Sequence, residues 1–213
     1  MDFGDVEQAI DETLKRCAVL AEHGRGAEIL NERFFHHMFS SFVRSQLLTS
    51  GEDIWETLNL VPEASTQESF LRREIRTANS SHTRDHAVGN GKAGNVDFFL
   101  RTNPPTWIEW KGPRLFSSDD VAWVMLKLRS VSNPATRVFA AIVVGAKRGR
   151  NHREELAKQR LAIGDAFARD VLTHQNLRGL DLRVYLASVT EDGLNKVHWR
   201  PYVTRSDRNE VDG

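Results

Sequence analysis

The chain is short of several things, and each shortage excludes something. A single cysteine, Cys17, stands among 213 residues, so no internal disulfide and no CxxC zinc signature can form, and a reducing compartment is expected. No apolar run approaches the roughly 20 residues that a membrane span needs. The opening Met1-Asp2-Phe3-Gly4-Asp5 is acidic and lacks a hydrophobic signal core, which points to a cytoplasmic protein. No internal repeat or low-complexity segment interrupts the chain. With 40% hydrophobic residues it is long enough to bury a real core as one soluble domain.

Net charge is missing too, since 29 Lys plus Arg balance 29 Asp plus Glu. That balance excludes neither nucleic-acid nor protein partners, because a partner meets the local distribution. Residues 1–70 carry 5 basic and 13 acidic side chains, a net −8, whereas residues 111–160 carry 11 basic and 4 acidic, a net +7. Of the 29 cations, 22 are Arg, whose planar fork suits phosphate oxygens; a GC-rich genome would produce the same bias.

Hydrophobic spacing predicts a first helix over residues 5–22 and a second carrying Ile29, Leu30, Phe34, Phe35, Met38, Phe39, Phe42 and Val43. Residues 50–69, broken by Gly51 and Pro62, are expected to be loop. Strands are expected over 70–77, 95–101 and 106–111, with the polar, Gly-rich stretch 79–94 between the first two. A helix over 119–131 follows. The wholly apolar stretch 138–144 reads as a strand covered on both faces, residues 152–173 as a long helix, and residues 182–189 as a strand that pairs with 197–202. The order α-β-β-β-α-β-α-β predicts an α/β fold, a central mixed β-sheet flanked by helices. We divide it into a helical extension (1–25), a core (26–190) and a C-terminal extension (191–213).

In the third strand, Trp107-Ile108-Glu109-Trp110-Lys111, alternation puts Glu109 and Lys111 on one face, about 7 Å apart, and Ile108 and Trp110 on the other. In the preceding strand Val96 and Phe98 are expected to share a face, which leaves Asp97 opposite. If Asp97 and Glu109 face the same side, two carboxylates converge beside one ammonium. Crowded carboxylates need a proton or a cation between them. Oxygen donors alone suit a hard ion such as Mg²⁺, with Mn²⁺ as a substitute. Lys111 is placed to orient an attacking water or to neutralise charge developing on phosphorus.

These residues resemble the PD-(D/E)XK nuclease superfamily, with its restriction-endonuclease-like core. Its motif sets an acid on the second core strand and acid-x-Lys on the third, which Asp97 and Glu109-Trp110-Lys111 match. Asn95-Val96 replaces the proline that normally precedes the first acid. Gln159 begins no Gln-x-x-x-Tyr motif of the exonuclease branch. The tripeptide alone is weak evidence; its setting in the meander is what makes the match. The resemblance implies a metal-dependent nuclease hydrolysing DNA phosphodiesters, an endonuclease of restriction, anti-phage defence or repair type. Asp97 and Glu109 would hold the metal. Glu32 or Glu28 on the preceding helix would add a further acid, and the Trp110 carbonyl a further ligand. Such endonucleases are often homodimers, because duplex cleavage needs two sites. A non-cleaving nucleic-acid-binding or regulatory protein on the same fold, and a nuclease acting on RNA, are the alternatives.

The turn containing Lys147, Arg148, Arg150 and Arg153 reads either as a contact to backbone phosphates or as a solvated surface turn. Lys92 and Arg114 are further candidates for the substrate backbone. Glu74 is either an additional ligand or part of a solvated strand face. His36 and His37 diverge by about 100° as helical neighbours, so at most one faces the site. Both are read as structural, as are His82, His86 and His152.

Overall fold

A computed structural model describes residues 1–22, 32–49, 51, 60–70, 92–112, 118–144, 158, 180–190 and 193–201. Two helices come first, α1 (Phe3–Glu22) and α2 (Glu32–Thr49). In α1 the apolar residues Val6, Ile10, Leu14 and Cys17 recur at three- and four-residue steps and are buried. Its start is fixed by a reciprocal cap: the Asp5 amide donates to Asp2 Oδ1 at 3.1 Å and the Asp2 amide to Asp5 Oδ2 at 2.8 Å. In α2 the buried stripe is Phe35, Phe39, Val43 and Leu47, spaced by four.

Six strands form one mixed sheet in sequential order: β1 (Leu60–Phe70), β2 (Lys92–Leu100), β3 (Thr106–Lys111), β4 (Thr136–Val144), β5 (Asp181–Thr190) and β6 (Gly193–Pro201). The first three run as an antiparallel meander, β3, β4 and β5 are parallel, and β6 returns antiparallel. Helix α3 (Ser118–Arg129) connects β3 to β4. The chain is therefore an α/β fold, a mixed sheet with helices on both faces. No helix among the described residues is long and apolar enough to cross a membrane.

The two faces have separate cores. On one, α1 and α2 pack over Phe98, Leu100, Ile108, Trp110, Val138, Ala140 and Tyr185. On the other, Val121, Val124, Met125 and Leu128 of α3 meet Val96, Trp107, Phe139, Ala141 and Val184. Burial on both sides is why residues 138–144 of β4 read as a continuous apolar run. At the end of β3, Gly112 has φ +144° and a Cβ there would lie 2.4 Å from the Ile142 carbonyl oxygen. Only glycine lets the strand turn away this close to β4.

Three expectations need correction. Residues 60–69, expected to be loop, form β1 together with Phe70. It lies at the sheet edge and is bonded on one side only, so it tolerates Pro62, a polar composition and a bulge between Ser65 and Ser69. Val96 and Phe98 do not share a face, because Val96 belongs to the α3 core and Phe98 to the α1–α2 core. The return strand begins earlier than 197, at Gly193, and pairs with β5 from Thr190 back to Arg183. The strand expected over 70–77 and the helix expected over 152–173 fall almost wholly outside the described residues.

Candidate functional site

The strands β2 and β3 part company halfway along. Their paired register covers only Phe98–Leu100 against Thr106–Ile108. Beyond it, side chains replace the ladder. The Trp110 amide donates to Asp97 Oδ2 at 2.7 Å, and the Asp97 amide donates to Glu109 Oε2 at 3.3 Å. Each strand's carboxylate thus accepts the other strand's N–H. Broken alternation between Val96 and Phe98 is the local cost of this exchange, and it locks Asp97 and Glu109 against one another. An extended residue directs its N–H and C=O to the same side, so the Trp110 carbonyl also faces the parting. The Trp110 ring points away and packs near Phe35 and Phe39.

Cations enter from three elements. Lys111 Nζ lies 3.3 Å from Glu109 Oε1 and 3.3 Å from Glu32 Oε1 at the start of α2. One turn along α2, His36 Nε2 stands 3.5 Å from Asp97 Oδ2, an ion-pair distance without an aligned hydrogen bond. From the other face, Lys127 in the last turn of α3 donates to Glu109 Oε1 and, at 2.8 Å, to the Asn95 carbonyl. Three carboxylates therefore face two ammonium groups and one imidazole. The cluster runs from fully buried at Glu109 (1% exposed) to half-open at Glu32 (40%).

This arrangement sets the protonation states. Burial pushes the Glu109 carboxyl up; Lys127 opposes the rise and Asp97 adds to it, leaving it above its ordinary value. Burial acts the same way on Asp97, but His36, Lys111 and Lys127 outweigh it and hold that carboxyl low. Lys111 loses proton affinity to burial and regains more from Glu109, Glu32 and Asp97, so its ammonium is held charged. His36 is likewise depressed by burial and raised further by Asp97, Glu32 and Glu109.

Of the residues singled out from sequence, Asp97, Glu109, Lys111 and Glu32 are brought together, with the Trp110 backbone beside them. Lys92 opens β2, with its side chain outside the described residues. Glu28, Glu74, Arg114, Lys147, Arg148, Arg150, Arg153, His82, His86 and His152 also lie outside the described residues. Two members of the cluster were not anticipated. His36, read as structural, faces Asp97; the only signal was its position four residues after Glu32, on the same helix face. Lys127 gave no signal, since a lysine in a last helical turn reads as a solvated partner of the helix dipole.

The donor chemistry fits a hard divalent cation, which takes one or two carboxylates from a protein, and Asp97 and Glu109 supply that pair. Among the described residues no group of three His, Cys, Asp or Glu is set closely enough to hold a metal. Lysines already engage Glu109. No family model, no curated protein and no solved structure matches the chain.

Proposed function

We propose that the chain is a metal-dependent nuclease with a restriction-endonuclease-like core, hydrolysing phosphodiester bonds in DNA as an endonuclease of defence or repair type. One observation carries this reading: Asp97 and Glu109 meet where β2 and β3 part, with the Lys111 ammonium 3.3 Å from Glu109. An antiparallel meander followed by a helix and a parallel strand supports the same resemblance.

Asp97 and Glu109 would hold Mg²⁺, or Mn²⁺ in its place, with Glu32 and the Trp110 carbonyl on the open side. When bound, the ion supplies Lewis acidity and positive charge at the scissile phosphate. Lys111, held in its charged form by Glu109, Glu32 and Asp97, acts as a fixed cation toward the phosphorus and not as a proton acceptor. Glu32 holds that ammonium in place from α2. His36 keeps Asp97 ionised.

The test is cleavage of supercoiled plasmid, single-stranded DNA and RNA in Mg²⁺, Mn²⁺ or EDTA. Cutting that needs metal and falls at least about 100-fold in Asp97→Ala and in Lys111→Ala is expected. Cutting that persists in EDTA, or in Asp97→Ala, overturns the proposal. A second reading is favoured by the engagement of Glu109 with Lys127: a cluster neutralised from within can stay folded without metal. On that reading the chain binds nucleic acid without cleaving it, and the same assay gives retention of DNA with no cutting by wild type.

A further inference from the structure

Lys127 and Lys111 both reach Glu109 Oε1, yet they come from different elements and differ in exposure. Lys111 comes from β3, is 23% exposed and leans toward the half-exposed Glu32. Lys127 comes from α3 with its side chain 7% exposed, under the sheet and closed off from solvent. Its ammonium has the one oxygen of Glu109 that the strand exchange leaves over, since Oε2 is taken by the Asp97 amide.

Lys127 also has somewhere else to go. Its ammonium is held at 2.8 Å by the Asn95 carbonyl, two residues before Asp97 on β2. The Trp123 ring, one turn back on α3, lies 5.9 Å from the nitrogen. A cation that lets go of Glu109 keeps a carbonyl acceptor and an aromatic face and is not stranded in an apolar core. Glu109, by contrast, is fully enclosed, and in its ionised form it needs a positive partner.

We infer that Lys127 is an exchangeable internal counter-ion: it holds Glu109 Oε1 while no metal is present and withdraws onto the Asn95 carbonyl when a divalent cation takes that oxygen. The inference rests on the metal-dependent reading given above. Lys127 is then a positioning residue. It keeps the most buried ligand oriented for metal, and it lowers apparent metal affinity by the fraction of time it occupies the oxygen.

Two measurements test this. Isothermal titration of Mg²⁺ into wild type, Lys127→Met and Asp97→Asn is expected to give binding about tenfold tighter in Lys127→Met and none in Asp97→Asn. In ¹⁵N-lysine-labelled wild type, a slowly exchanging Lys127 ammonium resonance is expected in EDTA and is expected to shift with saturating Mg²⁺; this needs no variant to fold. If wild type binds Mg²⁺ while the resonance stays unchanged, or Lys127→Met binds no more tightly, the exchange is overturned and the metal reading stands. If only Lys127→Met binds Mg²⁺, Lys127 is a permanent occupant and the exchange is again overturned. Absence of Mg²⁺ binding in both proteins removes the metal reading and the exchange with it.

Discussion

His36 lies one helical turn beyond Glu32 and couples the cluster to pH. Burial alone would depress the imidazole, but Asp97, Glu32 and Glu109 raise it above its ordinary 6.5. A raised folded-state value means that the stabilisation is fully present below pH 6.5 and is lost as pH rises through the higher folded value. Asp97 runs the other way. Held below its ordinary 3.8, it stabilises the fold above pH 3.8 and loses that contribution as pH falls through its lower folded value. Urea unfolding of wild type is therefore expected to give a free energy that declines above pH 6.5, and His36→Gln to flatten that decline. An unchanged slope in the variant would place the titration elsewhere.

Helix α3 illustrates how one element depends on a side chain from the next. Arg137, the second residue of β4, is almost wholly buried and turns back on the helix end. It donates to the carbonyls of Leu128 and Ala135 at 2.8 Å each and to Asn133 Oδ1 at 3.1 Å, with the Val131 and Ser132 carbonyls at 3.5 Å. Of these, the Leu128 carbonyl lies in the last helical turn, where no intrahelical partner is left, and the others belong to the connection to β4. Their need for a donor explains a buried guanidinium that touches no carboxylate in this network. Arg137→Met keeps the apolar stem and removes the fork, and is expected to cost roughly 2–3 kcal/mol in chemical denaturation. Arg137→Lys should rescue little, since one ammonium cannot span the set. Because α3 also carries Lys127, Arg137→Met should weaken the hold on Glu109. Full stability in Arg137→Met would rule out the capping role.

The two-sided architecture makes α1 indispensable. Val6, Ile10, Leu14 and Leu20 are buried against the sheet together with Ala9 and Cys17. The Tyr185 hydroxyl of β5 donates to Glu7 at 3.1 Å, tying the first helix to a late strand. Uncovering those aliphatic side chains would forfeit on the order of 10 kcal/mol of burial, comparable with the whole stability of a domain. A chain of residues 23–213 is expected to show no cooperative thermal transition. A transition within a few degrees of the full-length protein would mean that α1 is an appendage, as the division at residue 25 assumed.

Local pattern was enough to reveal much of this protein. The buried stripes of α1 and α2 recur at helical spacing. The strand 106–111 is bounded by Pro105 and Gly112, and Glu109 and Lys111 sit two apart on it, so their common face followed from the pleat. The tertiary structure alone decided the rest. Edge strand β1 is held by backbone bonds to β2, and its few apolar residues, Leu60, Val61 and Ala64, follow no strict alternation. The Val96–Phe98 irregularity exists because two carboxylates replace ladder bonds. Lys127 meets Glu109 across 18 residues of chain. Periodicity reports which face of an element is apolar; it holds no information on which distant charge a buried carboxylate will find, because that partner is selected only when the helix has docked.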